Sequence, residues 1–485
     1  MPDIAFRSAS QLAKAIREKE VSSRELLDHY LERVEKFNSK INAVVTLDVQ
    51  RGRKRADAAD TALARGEVWG PLHGVPMTVK DSIETAGIRT TAGAKSLAQH
   101  VPAADATAVH RLVEAGAVVF GKTNLPTYAM DVQSYNPIFG TTNNPWNVSH
   151  SPRGSSGGAA AALVAGLTGL ELGSDIGGSI RCPAHYCGVY GHKPTHGIVP
   201  MRGHIPGPPG TLSEADIAVI GPMARSAEDL ALALDILAGP DLDRATAWRL
   251  ELPPARHAAL REYRVAAWLD DPECPIDRDV LDAYQTAVGA LRKAGVTVHE
   301  SARPALNFAE AYRIYFSLLN AATSTAVKRE RFVEIAQYAE QLPPDDQSAS
   351  GNFARSVTQR HRDWLSVNEA RERLRLSWAN FFKDYDVLLC PIAPTAAIPH
   401  DHTEPFLERV IQVNGATRSY WDQIAWAGVI GLAYLPATAA PIGCTRAGLP
   451  VGLQIVGPYL EDRTPIAFAN HLAKVTGGFE IPLGY

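Results

Sequence analysis

"LELGSDIGGSIRCPAHYCG", residues 170–188, runs from an apolar segment into Gly-Ser-Asp-Ile-Gly-Gly-Ser and back into a small, cysteine-containing run. Gly177 and Gly178 stand directly before Ser179, bracketed by Asp175 and Arg181. A glycine pair at a strand end lets the backbone turn with φ > 0 and lets a ligand approach closely. Consecutive N–H groups in such a turn form a concave anion site. If Ser179 is a nucleophile, those donors already face an oxyanion. A serine nucleophile also needs a base, which the rest of the chain has to supply.

Outward from this stretch, helix and strand patterns alternate. Upstream, "SSGGAAAALVAGLTGLELGSD" is an Ala-rich helix followed by a strand. The helix opens just after Gly157-Gly158, so its N–H groups are expected to face whatever lies near Ser155. "ATAVHRLVEAGAVVFGKTN" repeats the pattern and ends in the strand "AVVFGK". Such αβ units typify α/β architecture. Near the N-terminus, "SSRELLDHYLERVEKF" carries Ser22 and Glu25 at capping-box spacing. "INAVVTL" reads as a short strand, as do "YRVAAWLDD", "YDVLLCPIAP" and "GLPVGLQIVG". Residues 277–385 read as largely helical, broken by an exposed loop at "LPPDDQSASGN". With no internal repeat and no low-complexity linker, the expectation is one domain over 1–485, with a mostly helical insertion at 241–385 shaping the substrate funnel.

Composition narrows the function classes. The chain has 485 residues, 46% hydrophobic and 21% charged, with a net charge of −4. That balance creates no strong field for nucleic acid or an anionic membrane. The cluster Arg51, Arg53, Lys54 and Arg55 reads as a solvated helix face. No apolar run reaches membrane-span length, and the charged N-terminal stretch has no signal-peptide core. Five scattered cysteines suggest a reduced, cytoplasmic protein. "CPAHYC" (Cys182, His185, Cys187) lacks a second ligand pair for zinc, so buried cysteines are expected there. No metal or organic cofactor is implied.

Two serine-based chemistries compete. Gly154-Ser155-Ser156-Gly157-Gly158 contains G-x-S-x-G, but the polar, Pro-broken "NPWNVSHSPR" before it is a poor nucleophile-elbow strand. His185, His192 and His196 lie close to Ser179 in sequence and could pair with a serine. Lys80 is the other candidate. It ends an apolar strand-like run in "GPLHGVPMTVKDSIETAG". Burial there would lower its pKa, and a neutral lysine serves as a general base.

The chain resembles the amidase signature family. The resemblance rests on "PLHGVPMTVKD", "GKTNLPTYAMD", "YNPIFGTTNNPWN", "GSSGGAAAALVAG", "LGSDIGGSIRCPAHYCGVYGHKPT", "IGPMARSAEDL" and "AAPIGCTRAGLPVGLQIVG". These occur in the family's order over roughly residues 5–475, with the core at 71–240. Ser155 follows Lys80 by 75 residues and Ser179 follows Ser155 by 24, as the family pattern requires. The resemblance implies a central mixed β-sheet covered by helices on both faces. It implies a Ser–cisSer–Lys set: Ser179 the nucleophile, Ser155 the bridging serine after a cis Gly154–Ser155 bond, and Lys80 the base. It further implies an oxyanion hole from Ile176, Gly177, Gly178 and Ser179, with Ser156, Asp175 and Arg181 in support. Thr123 and Asn124 are expected beside the site, with Ala129 and Met130 lining the acyl pocket. On this view the two glycines keep side chains out of the carbonyl's path.

The expected activity is hydrolysis of small, bulky or aromatic amides, with esters and carbamates as further carbonyls that suit the site. A urethanase is a competing possibility. So is the glutamine-hydrolysing A subunit of a tRNA amidotransferase, which would need charged groups near Trp421 and Asp422 to hold glutamine. A non-catalytic binding protein on this fold and a Ser–His–Asp esterase using Ser156 also compete. The expected partner is a small-molecule substrate, with no nucleic acid and no membrane. A homodimer is implied by the resemblance alone. Arg153 stands where the family has glycine, and His192 and His196 replace apolar and aromatic residues around "KPT". These departures bear on substrate preference.

Overall fold

The structure, a computed structural model, describes residues 3–205, 208–346 and 348–485. Part of the loop "VPMRGHIPGPPGTLSE", expected to wall the funnel, lies outside the described residues. Eleven strands form the central sheet. In chain order they are β1 (Val44–Leu47), β2 (Pro76–Lys80), β3 (Val118–Thr123), β4 (Glu171–Asp175), β5 (Tyr190–Lys193), β6 (Val219–Ala224), β7 (Val265–Ala267), β8 (Val298–His299), β9 (Val387–Cys390), β10 (Ala437–Cys444) and β11 (Pro450–Val456). Their order across the sheet is β1-β3-β2-β4-β6-β5-β10-β11-β9-β7-β8. The pairs β3–β2, β2–β4, β9–β7 and β7–β8 are parallel, and the others are antiparallel. Fourteen α-helices flank this mixed sheet among the described residues.

Both faces of the sheet are apolar, because alternate residues of a strand point opposite ways. On β6, Ile220 and Ala224 join a core with Leu230 and Leu234 of the helix Ala227–Leu237. Met223 of the same strand packs the other way, against Ala159, Ala160 and Leu163 of the helix Gly157–Val164. The Ser22–Glu25 capping box forms and starts the helix Ser23–Ile41. Residues 241–385 hold the long helices Phe308–Thr323 and His361–Asp384, and they also contribute β7 and β8 to the sheet edge. This segment is therefore fastened to the central sheet. No helix among the described residues is long and apolar enough to cross a membrane.

Parallel β3, β2 and β4 bring Thr123, Lys80 and Asp175 to neighbouring carboxyl ends. Lys80 stands opposite Thr123 in register, and Val79 opposite Leu172. A crevice beyond the carboxyl ends of parallel strands is where open α/β sheets bind ligands.

Candidate active site

Lys80 lies wholly buried at the end of β2. Its Nζ donates to Ser155 Oγ at 2.6 Å, Ser156 Oγ at 3.0 Å and Ser174 Oγ at 3.0 Å. Burial pulls its pKa down from 10.5 to about 7, against the opposing pull of the Asp175 and Glu171 carboxylates. Beneath it, burial pushes the Glu171 carboxyl up to about 8, although hydrogen bonds from Thr78 and Thr123 favour the ionised form. Lys122 and Lys193 are buried too, but they bind elsewhere: Lys122 donates to Thr85 Oγ1 at 2.8 Å and Lys193 to Pro194 O at 2.7 Å.

The peptide bond between Gly154 and Ser155 is cis. Just before it, Arg153 is buried with φ +72°, a conformation natural to the family's glycine. Its guanidinium donates to Val132 O at 3.0 Å and Gln423 O at 2.7 Å. The first N–H groups of the following helix face the surroundings of Ser155, among them Ser134 Oγ, which lies 3.4 Å from Ser155 O. Gly157 N–H donates to Ser134 Oγ at 3.1 Å and Gly158 N–H to Asn124 O at 3.2 Å. Thr123 ends β3, and Asn124 is an internal brace whose Nδ2 donates to Thr142 Oγ1 at 2.9 Å.

The loop after β4 is held by one ion pair. Asp175 accepts from Arg181 Nη2 at 2.8 Å, Ile180 N at 3.0 Å and Gly178 N at 2.8 Å. Burial alone would raise its pKa, but the Arg181 charge and these donors hold the carboxyl well below the usual carboxylate range. The Gly178 N–H, expected in the oxyanion hole, is spent on Asp175 here. The N–H groups of Ile176, Gly177 and Ser179 have no acceptor among the described residues. Nor does Ser179 Oγ make a hydrogen bond among them. Catalytic hydrogen bonds of this kind often tighten only with substrate. The glycines have a packing reason as well. A Cβ on Gly178 would sit 2.5 Å from Cys182 Sγ, and one on Gly177 would sit 2.7 Å from Tyr315 OH.

Ser179 and Ser155 open on a cavity of about 200 Å³. Ala129 and Met130 are in its wall, as are Tyr315, Phe316, Phe353 and Trp421. Phe308 instead packs in the core against Trp268 and Trp426. Asp422 is turned away, paired with Arg418 at 2.6 Å. Asp131 is in the wall but is clamped by Arg409 at 2.8 Å and Tyr420 OH at 2.8 Å.

Comparison with known proteins fits this geometry. The family model "Amidase" matches residues 25–465. The chain belongs to the amidase family. Its chemistry is hydrolysis of amide C–N bonds. Among curated relatives, the A subunit of glutamyl-tRNA(Gln) amidotransferase from Moorella thermoacetica (strain ATCC 39073 / JCM 9320) is 33% identical, with 95% of this chain and 94% of that protein covered. A solved structure described as an amidase is 30% identical, with TM-score 0.79 over 96% of this chain and 99% of the other. The structure of the same amidotransferase's A subunit from Thermotoga maritima is 26% identical, with TM-score 0.78 over 99% and 98%.

The histidines near Ser179 in this amidase are structural. His185 sits between Thr395 O at 3.0 Å and Gly452 N at 2.6 Å. His192 bridges Thr438 Oγ1 at 2.9 Å and Asp462 at 3.1 Å. His196 stacks on Tyr434, 4.3 Å between ring centroids. Two residues of the site escape sequence reasoning. Ser174 is the penultimate residue of β4, and strand alternation with Asp175 could have pointed it at Lys80. His204 lines the cavity and sits 3.4 Å from Ser82 Oγ. Burial and the Lys80 charge push its pKa down to about 3.

Proposed function

We propose that this amidase hydrolyses small amides with bulky or aromatic groups through an acyl-enzyme on Ser179. Lys80 takes a proton from Ser155 as Ser155 takes one from Ser179. Ser179 Oγ attacks the carbonyl carbon, and the resulting oxyanion faces the N–H groups of Ile176, Gly177 and Ser179. The relay returns a proton to the departing amine as the C–N bond breaks. Water then attacks the acyl ester, and its proton goes back along the same path.

The observation that carries the substrate class is the character of the wall. It is mainly aromatic and aliphatic, and no lysine or arginine side chain lines it among the described residues. A carboxylate bound there would lose its hydration with no cation in exchange. The test is hydrolysis of anilides, aliphatic amides, aryl esters, aryl carbamates and glutamine, with Ser179→Ala as the blank. Cleavage of anilides absent from the blank is the expected result. Cleavage of carbamates alone would favour the urethanase reading. The relatives' names favour a second reading, glutamine hydrolysis within a tRNA amidotransferase. Glutaminase activity that appears only with added partner proteins would establish that reading and overturn ours.

A further inference from the structure

One polar side chain in the cavity wall has nothing to bind. Asn320, on the helix Phe308–Thr323, is 6% exposed and lines the cavity. Neither end of its carboxamide has a hydrogen-bond partner among the described residues, and Nδ2 is fully shielded. Trp421 lines the same cavity, and its shielded indole Nε1 is also without a partner. Buried polar groups in native proteins are nearly always satisfied, so an unpartnered pair in one wall calls for a reason. Neighbouring hydroxyls do not fill the need. Thr323 Oγ1 donates to Leu319 O at 2.9 Å, and Ser324 Oγ donates to Ala321 O at 2.8 Å. The terminal torsion of asparagine is broad and roughly two-fold, so turning the carboxamide about it exchanges the places of the N–H and the C=O.

The helix that carries Asn320 also reaches the nucleophile's loop. Tyr315, on the same helix, donates its OH to Ile176 O at 3.2 Å and so touches the loop that carries Ser179. Asn320 is five residues further on, about 7.5 Å along the helix axis. Tyr315, Asn320 and Ser179 line the same cavity, so a substrate held at Ser179 shares its space with the carboxamide.

We infer that Asn320 is a specificity-determining residue that hydrogen-bonds a second, neutral polar group at the far end of an aryl substrate. The inference rests on the aryl-amide reading above and narrows it. The preferred substrates are aryl amides whose para position bears a hydroxyl, carbonyl or amide-like group. A carboxylate at that position is disfavoured for want of a cation in the wall.

The test uses two probes of similar shape and electronic character, 4-(hydroxymethyl)acetanilide and 4-ethylacetanilide, with plain acetanilide as reference. The wild-type enzyme is expected to favour the hydroxymethyl probe by about tenfold in kcat/KM, chiefly through KM. Asn320→Leu is expected to abolish or reverse that preference and to leave acetanilide within about threefold. A purely structural Asn320 would lower Tm and slow both probes equally, which overturns the inference. Equal rates on the two probes in the wild-type enzyme overturn it without any variant, so a misfolded Asn320→Leu does not rescue it. If no anilide is cleaved beyond the Ser179→Ala blank, it is the aryl-amide reading itself that falls.

Discussion

A buried lysine is a base only when its proton leaves easily. For Lys80 the half-point is near pH 7, because burial disfavours the ammonium. The neutral, active form gains population as pH rises. Hence kcat/KM is expected to rise about tenfold per unit below pH 6 and to level off above pH 8, measured from pH 5.5 to 9.5. Lys80→Ala should lose roughly 10²–10⁴-fold and flatten that profile. A flat wild-type profile would remove Lys80 from the role. Arg153 gives a second prediction. Its φ of +72° suits glycine, while its guanidinium ties the Ser155 loop to Val132 and Gln423. Arg153→Gly and Arg153→Ala both lose the ties, and only alanine keeps the backbone cost. Urea titration should find the alanine variant less stable by about 1 kcal/mol.

At the scale of elements, the helix Gly157–Val164 decides where the serines stand. Its first turn rests on the end of β3, so closely that a Cβ on Gly158 would collide with the Asn124 backbone. Gly158→Ala should shift Ser155 and Ser156 away from Lys80. A loss of about 1–3 kcal/mol in stability is expected, with a larger proportional loss in kcat than in KM. An unchanged kcat would mean that the helix does not set the serine positions. Elements of this kind were legible before the structure where their cause is local. The Ser22–Glu25 box, the apolar run to Lys80 and the turn at Gly177-Gly178 each depend on residues near in sequence. Ser179 was marked by its own glycine turn, while its link to Ser155 and Lys80 was legible only through the family's spacing. Ser174 was within reach of strand alternation; His204 and Asn320 were not legible, because the cavity wall they share is assembled from segments far apart in the chain. The contact of the Gly178 N–H also escaped sequence reasoning. That N–H is claimed by Asp175, a partner whose orientation depends on Arg181.

Across the whole molecule, the cavity is assembled from segments far apart in the chain. Residues 129–132 and 174–179 come from one part of the sheet's surroundings, and residues 315–327 and 406–424 from another. The lysine and both serines of the proposed relay belong with the strands from β1 to β5. The aromatic wall and Asn320 belong with the segment that supplies β7, β8 and β9.

The strand order has a consequence for how the chain folds as it is made. β10 and β11 are the last strands in sequence, yet they lie in the middle of the sheet, between β5 and β9. Until residue 456 has been synthesised, β5 and β9 each lack an inner partner strand. Unpaired edges invite pairing with other chains, and slow closure of distant strands prolongs their exposure. A chain cut before Ala437 is therefore expected to aggregate, although Lys80, Ser155 and Ser179 are all present. Supplying residues 437–485 as a separate peptide during refolding should restore solubility. Soluble, monomeric protein from the cut chain alone, seen by size-exclusion chromatography, would show that the catalytic half closes its own edge. Otherwise the hairpin that arrives last is the weld that joins nucleophile to pocket.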